Sequence, residues 1–469
     1  MAAIRVGRFE HPRESGEGDA AKNASSPVSS SRDWIIYTKD FSGLGWAKKL
    51  QEEGESVVVA VECPEDKPED IKLFEQVGEG WVTIVQLSEA CSTLQTPTTY
   101  NIFAENCFTE HADKLRTQGA KVFGTSKLSE TMEHDRQYAI DIAEKAGLYP
   151  MTTEECSTRE EGLAFLDANP EKAYVLKPDD GATNFSTFVP IRSLDADANR
   201  ETYEYLAHMK AEPGTYILQE RIPLEDSLEV NVEVWLYEGE PFFATLGLEV
   251  KRKNTSDSGE MAGCGGDVMT VIPLDSPLVM ETVGRMLPFY LEQKYTGFAD
   301  VNVIFTPDGE PHFLEVCNRF GYSAHVTLLL TLLDGKLADL LADWIDGQDV
   351  QGLAGRFRDG FGASLTLFLD HPREGLPLHL DDRWRTQYYP FDLYEEGGVS
   401  LLTGYSNEVG IFTAYGQTLD EAVAACLEQL QMDEAVSFPD MHYRTDLGAE
   451  TYPNAPLLRY NELLERGLL

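Results

Sequence analysis

From residue 33 onward the apolar positions fall in short runs separated by polar, glycine-containing stretches, the texture of strands alternating with helices. DWIIYTKD, FSGLG, WAKKLQEEG and SVVVAVE read in turn as strand, loop, helix and strand, a βαβ opening typical of an open α/β sheet. WVTIVQL, NIFAEN, the helix TEHADKLRTQG and the strand AKVFG continue it. The pattern next predicts one helix from near Ser129 to Gly147, with Ser129 and Glu133 at its start and Met132, Arg136 and Ala139 along it. After the helix TREEGLAFLDANP come the strands AYVLKPDDGATNFSTFVPI and GTYILQERI, then an alternating pair, EVNVEVWLYEGEPFFATLGLEVK, turned at 238–240. KRKNTSDSGEMAGCGGD is a loop by composition, and HVTLLLTLLDGKLADLLADWIDG has the period of one buried amphipathic helix. Beyond about 355, the strands FGASLTLFLD and NEVGIFTAYG with the helix TLDEAVAACLEQL read as a small α+β unit.

The most informative stretch is 297–321. FADVNVIF and PHFLEV flank Asp308-Gly309, a dipeptide suited to a tight hairpin turn, which sets Asn302 opposite Glu315. Strand alternation then predicts Asp300, Asn302, Glu315 and Cys317 on one face, and Val301, Val303, Leu314 and Val316 on the other. Arg319 follows on a Phe-Gly exit. A carboxylate opposite an amide with an arginine nearby suits Mg²⁺ and polyphosphate, because Mg²⁺ takes few hard ligands from protein and arginine stabilises developing charge. A solvated polar hairpin face is the alternative.

Other groups gain meaning from their positions. Lys177 ends a strand before a small-residue loop, where an ammonium reaches phosphate oxygens. Lys251, Arg252 and Lys253 form a rare basic cluster beside glycines, which suggests an anion site. Gly43 and Gly45 open a helix but lack the third glycine of a dinucleotide fingerprint, so helix packing accounts for them equally well.

Composition narrows the class. The formal net charge is −42, which opposes a grip on nucleic acid or an anionic membrane, and 42% hydrophobic residues supply ordinary cores. Seven scattered cysteines without a CxxC pair point to reduced thiols in a cytoplasmic protein rather than to disulfides or zinc. The sequence has no apolar signal core and no run long enough to span a bilayer. Residues 1–32 are rich in small and charged residues and read as a disordered tail.

Taken in order, these features resemble ATP-grasp ligases, most specifically phosphoribosylamine-glycine ligase (glycinamide ribonucleotide synthetase). The resemblance runs from about 33 to 448: AKVFGTSKLSETMEHDRQYAIDIAEKAGL is similar to the entry helix, YVLKPDDG to the lysine-bearing strand, YILQERI to the adenine hinge and FLEVCNRFG to the metal-and-arginine signature, while GIFTAYGQTLDEAV and MHYRTDLG resemble the C-terminal domain. It implies an α/β fold in which the 1–32 tail precedes an open α/β domain at 33–125, an ATP-grasp domain at 126–350 and a small α+β domain at 355–455. It also implies ATP and Mg²⁺ as cofactors. Phosphate contacts would fall to Lys177 and Arg136, adenine recognition to Gln219, Glu220 and Ile222, and the ribose to Glu229. Lys251 and Arg252, with Gly265-Gly266, match the substrate loop; Glu315 matches a metal ligand, with Asn302 and Cys317 beside it, and Arg319 the arginine at the reacting phosphoryl group.

The chain departs from that pattern at several positions. Cys317 stands where the family has Asn, with Asn318 one residue on, and Asn302 stands where many members have Asp. Tyr322-Ser323-Ala324-His325 replaces an acidic Asp-Pro-Glu, and TKDFSGLGWA replaces the glycine-rich phosphoribosyl loop. The implied function is an ATP-dependent carboxylate-amine ligase acting on small molecules through an acyl phosphate, as a monomer or homodimer, with histidines in structural roles. A non-catalytic nucleotide-binding or scaffold protein of the same fold is the alternative; a dinucleotide oxidoreductase is suggested only by the incomplete glycine motif.

Overall fold

In the computed structural model, residues 31–469 are described apart from 40, 63–70, 94, 179–186, 191–197, 211, 224–226, 379–386, 433–439, 451 and 453. The expected tail up to residue 30, the small-residue loop after Lys177 and most of the elbow after the hinge strand lie outside the described residues.

The first sheet is five-stranded and parallel, in the order β3-β2-β1-β4-β5, formed by Thr83–Gln86, Ser56–Val61, Asp33–Tyr37, Tyr100–Phe103 and Lys121–Phe123. The central strands are apolar on both faces because helices cover both, as a parallel sheet requires. Both neighbours of β1 follow it in the chain: the winding runs from β1 through β2 to β3 on one side and then returns to place β4 and β5 on the other, so it reverses between β1 and β4. The crevice outside the carboxyl ends of two such strands is where open α/β sheets bind ligands.

The single helix expected from Ser129 is two. Lys127–His134 is capped by Ser126, which exchanges hydrogen bonds with Ser129, and Arg136–Lys145 is capped by Asp135, which accepts from the Tyr138 N–H. Asp135 breaks the run because its side chain satisfies the second helix's amides. A three-stranded antiparallel sheet follows, β6 (Thr153–Cys156), β8 (Tyr216–Glu220) and β7 (Tyr174–Pro178), with β8 in the middle and its own small core around Leu166, Tyr216 and Leu218.

Most of the rest builds a ten-stranded sheet. Its path runs β14 (Pro311–Val316), β13 (Gly297–Phe305), β9 (Leu228–Tyr237), β10 (Glu240–Gly247), β12 (Ser258–Val271) and β15 (Phe361–Leu369), then Glu408–Gly416 and Tyr388–Pro390; β11 (Val250–Asn254) pairs with β12. Strands from both sides of residue 355 therefore share one sheet, and Arg32–Leu469 forms one unit.

Two expectations need correction. The segment read as a loop at 251–267 is the antiparallel pair β11–β12, turned at Ser256 and Asp257, both with positive φ. Its glycines conceal the strand pattern, but they are needed: a Cβ on Gly265 would lie 2.4 Å from the Arg252 carbonyl. The predicted long helix after His325 is broken. Ala324–Thr327 runs into a wider turn at Leu328–Leu332, and a new helix spans Leu337–Ile345, because Asp334 donates its N–H to the Arg356 carbonyl instead of continuing the helix.

Candidate functional site

The hairpin forms in the expected register. Asn302 pairs with Glu315 across β13 and β14, and Gly309 takes φ 81° in the turn. A bulge between Asn302 and Val303 shifts the pairing, so that Val303 faces Phe313 and one extra residue is accommodated in β14. Phe313 and Val316 enter the core, whereas Leu314, expected on the core face, lines the same cleft as Glu315.

That cleft consists of two cavities of about 310 and 570 Å³ that share Gln219, Glu249, Lys251, Gly263, Leu314 and Glu315. The larger is walled by apolar Met151, Val175, Ile222 and Ile304, with Lys177, Glu220, Glu229 and Arg252 at its polar edges. The smaller takes in Glu133, Arg136, Asp300, Asn302, Cys317 and Arg319. The charged, hinge and hairpin residues predicted from the sequence thus line one cavity or the other, whereas Gly265-Gly266 lines neither.

At the junction, Lys251 donates to Glu315 Oε1 at 2.8 Å, while Arg136 stands 3.8 Å from Oε2. Lys251 and the burial it shares with Glu315 act in opposite senses on the carboxyl; Lys251, helped by Lys177 and Arg136, wins and holds it well below the usual carboxylate range. Lys177 is 6% exposed, and burial lowers its ammonium to about 8 in spite of Glu315, with Arg136 and Lys251 pushing the same way. Burial also works against the Lys251 ammonium, but Glu315 and Glu249 raise it well above the ordinary value. One carboxylate thus faces three cations.

Several bonds hold these groups. Arg136 Nε donates to the Pro178 carbonyl at 3.1 Å, fixing its helix to the end of β7. Glu220 accepts from Lys172 at 2.8 Å, and its backbone N–H donates to Thr152, so its side chain is engaged outside the cavity floor. Arg252 donates to the carbonyls of Gly259 and Val189, at 2.9 and 3.0 Å, and so braces the β11–β12 hairpin. Fully buried Arg444, from MHYRTDLG, forks onto Asp446 at 2.7 and 3.0 Å and also reaches the Arg252 carbonyl.

The hairpin exit is more specific than the sequence suggested. Arg319 Nε donates to Glu133 Oε1 at 2.8 Å, and Asn106 Nδ2 donates to Glu133 Oε2 at 2.7 Å. Glu133 raises the Arg319 guanidinium well above its ordinary value. Asn318 turns away from the cleft, accepting from Tyr290 at 3.1 Å in the core, so it does not replace the amide lost at Cys317. Burial, reinforced by Glu133, pushes the Cys317 thiol well up and keeps it protonated.

Sequence reasoning missed Glu133 as a site residue, because it read as part of a helix start. It also missed the floor of the smaller cavity, Glu249 and Asp267, whose carbonyl neighbours are held by Arg459: Arg459 donates to the backbone carbonyls of Glu229 and Glu249 at 3.0 and 2.7 Å. Burial, with Glu249 nearby, raises Asp267 to about 7. The Gly-Gly at 265–266 sits inside β12 rather than in a mobile loop.

A Mg²⁺ ion suits this donor set in one way. Glu315 is ionised, its Oε2 accepts no hydrogen bond among the described residues, and the Asn302 amide lies across the strand pair, which leaves the remaining ligands to phosphate and water. A protonated thiol at Cys317 does not fit a hard cation.

No protein-family model matches the sequence. The chain is similar to the phosphoribosylamine–glycine ligases of Halalkalibacterium halodurans (22% identical; 72% of this chain, 78% of that one) and of Streptococcus pneumoniae R6 (24%; 72% and 80%). It is 23% identical to the bifunctional purine biosynthetic protein PUR2,5 of Pichia angusta, of which it spans only 43%. Among solved structures, phosphoribosylamine–glycine ligase from Thermotoga maritima superposes with a TM-score of 0.64 at 18% identity, over 88% of this chain and 99% of that one. Carboxyaminoimidazole ribonucleotide synthase from Aspergillus clavatus, complexed with ATP, gives 0.52 at 14%, over 86% and 97%.

Proposed function

We propose that this chain, which has the fold of the ATP-grasp ligases, joins a small-molecule carboxylate to an amine at the expense of ATP, through an acyl phosphate. The observation that carries this reading is the junction of the two cavities, where Glu315 is surrounded by Lys177, Lys251 and Arg136.

The adenine lies in the larger cavity between Val175, Ile222, Ile304 and Leu314, with Gln219 and the backbone of Glu220 and Ile222 at its edge and Glu229 toward the ribose. The triphosphate runs to the junction. Lys177 and Arg136 neutralise it there, and their charges are already mutually close, so a bound polyphosphate relieves their repulsion. Glu315 Oε2 and the Asn302 amide would hold Mg²⁺, which as a Lewis acid supplies charge neutralisation at the phosphate oxygens. The γ-phosphoryl group passes to the carboxylate in the smaller cavity, where Arg319, oriented by Glu133, faces the charge spread over the transferring oxygens. Lys251 and Arg252 border the carboxylate's position. The amine then attacks the acyl carbon, the amide bond forms and phosphate leaves; no side chain of the protein serves as nucleophile. The division into domains at 33–125, 126–350 and 355–455 belongs to the same reading.

The test is an ADP-release screen over carboxylates, amino acids and amines, with phosphoribosylamine plus glycine included. Release requiring ATP, one carboxylate and one amine together supports the ligase. Nucleotide binding with no release under any pair contradicts it.

A further inference from the structure

The turn that carries Arg319 out of the hairpin is pinned at both ends. On its near side Asn318 is held from the core, its side-chain oxygen accepting from Tyr290 at 3.1 Å and its carbonyl from the Tyr295 hydroxyl at 3.3 Å. On its far side the Gly321 N–H donates to Nδ1 of His325, a side chain with no exposed surface. Arg319 lies between. Its Nε donates to Glu133 at 2.8 Å and its Nη1 to the Phe320 carbonyl at 3.0 Å, so the guanidinium leans on the backbone of its own turn. Nη2 has no protein acceptor among the described residues, and Arg319 and Gly321 both line the smaller cavity.

More than packing holds His325. A backbone N–H can only donate, so Nδ1 accepts and the ring's proton sits on Nε2. Nε2 lies 2.9 Å from Oε2 of Glu233, whose Oε1 accepts the Trp235 indole N–H. Glu233 is 1% exposed, and its backbone is registered with Asp300 of β13 on one side and Thr245 of β10 on the other, so the anchor belongs to the interior of the large sheet. Phe298 and Phe320 close on the imidazole, with ring centroids 4.2 and 5.1 Å from its own. An imidazole and a carboxylate cost more to bury among aromatic rings than apolar side chains of the same size, so their place behind this turn calls for a reason other than packing.

We propose that His325 is a positioning residue for the phosphoryl-transfer step: backed by Glu233, it fixes the Gly321 amide and thereby the turn that sets the Arg319 guanidinium against the transferring oxygens. The step is that of the ligase reading above, whereas the fixing of Arg319 stands apart from it. Contacts run from the centre of the sheet through Glu233, His325 and Gly321 to Phe320 and Arg319, so a shift at the imidazole reaches the guanidinium. Displacing a reacting-site group by about 1 Å costs on the order of a hundredfold in rate.

Two amide substitutions separate the ring's two nitrogens. The oxygen of asparagine stands as far from Cβ as Nδ1 does, and the amide of glutamine reaches toward the place of Nε2. His325→Asn therefore keeps the acceptor for Gly321, and His325→Gln loses it. Both lose the imidazole's packing, so a purely structural histidine would suffer alike in the two. Exchange of the Arg319 Nε–H, followed by proton–nitrogen NMR without substrate and assigned with Arg319→Lys, should be at least about tenfold faster in His325→Gln than in wild type, and within about threefold of wild type in His325→Asn. With the substrate pair from the ADP-release screen, kcat should drop by about tenfold or more in His325→Gln while KM for ATP stays within about twofold, and His325→Asn should restore most of the loss. Equal effects in the two variants, or a change confined to KM or to the melting temperature, overturn the proposal. An absence of ADP release with any pair tells against the ligase reading alone, since the exchange measurement still runs. If neither variant folds, the nitrogen shifts of the wild-type imidazole decide: a bare Nδ1 with a protonated Nε2 sustains the acceptor role, and a proton on Nδ1 overturns it.

Discussion

Two regions of this protein meet a carboxylate with opposite surroundings. At the cleft junction Glu315 is encircled by Lys177, Lys251 and Arg136, and at the sheet crevice Glu105 is held by hydroxyls, a thiol and a backbone amide. The first carboxylate is met by full positive charges, the second by the neutral donors named here. In a chain with a net charge of −42, bulk electrostatics would repel polyphosphate everywhere, so selectivity rests on these local balances.

The largest expected effect comes from removing the charge at the junction. Glu315→Gln preserves shape but takes from Lys251, Arg136 and Lys177 the carboxylate they share, leaving Glu249 and Glu229 as their remaining counter-charges. Turnover should fall by about a hundredfold or more, as when a single preorganised electrostatic group is lost from an active site. The melting temperature should fall as well, since one partner of a part-buried ion pair has gone. Unchanged Mg²⁺ dependence of ADP release in this variant would place the metal elsewhere.

Lys177→Ala should weaken ATP binding about tenfold, the worth of one charge-assisted hydrogen bond. Wild-type affinity should also depend on pH. Burial lowers Lys177 to about 8, so below that pH its ammonium is present to meet phosphate, and affinity declines as pH rises through about 8. Lys177→Arg should flatten the profile, because a guanidinium keeps its charge. A profile equally steep in both proteins would assign the titration to another group.

The smallest effect lies on the cleft floor. Asp267 titrates at about 7 when folded, above its unfolded value, so between those values the native state holds a proton that the unfolded chain has released. Stability attributable to Asp267 therefore falls as pH rises through that window. Asp267→Asn should raise the melting temperature by an amount that grows between pH 5 and pH 8, by about 1–2 °C across that span. A lower melting temperature at pH 8 would mean that the ionised carboxylate is needed.

The sequence carried much of the cleft, for reasons visible in particular residues. Asp308-Gly309 set the hairpin turn and alternation set the register, so Asn302 opposite Glu315 was readable directly. The bulge that sends Leu314 into the cleft was not, because it depends on pairing across the strands rather than on local pattern. Glu133 looked like helix-start chemistry, and only the fold brings it 2.8 Å from Arg319, 186 positions away in sequence. The β11–β12 hairpin was hidden by its glycines, which are there because the Arg252 carbonyl comes close. Glu105 gave no signal at all: its donors at 38–42 are more than sixty positions distant in sequence, and a lone glutamate after NIFA carries no motif. Pairings across long sequence separations are what local patterning leaves out.

The comparison between the two regions reduces to a count of nucleotide sites. Calorimetric titration of the wild-type protein with a non-hydrolysable ATP analogue, with and without Mg²⁺, should give one saturable site per chain that tightens with the metal, because the junction gathers Lys177, Arg136 and Lys251 beside the apolar walls of the larger cavity. Binding at a second site that survives Lys177→Ala, or no binding at all, would contradict the account.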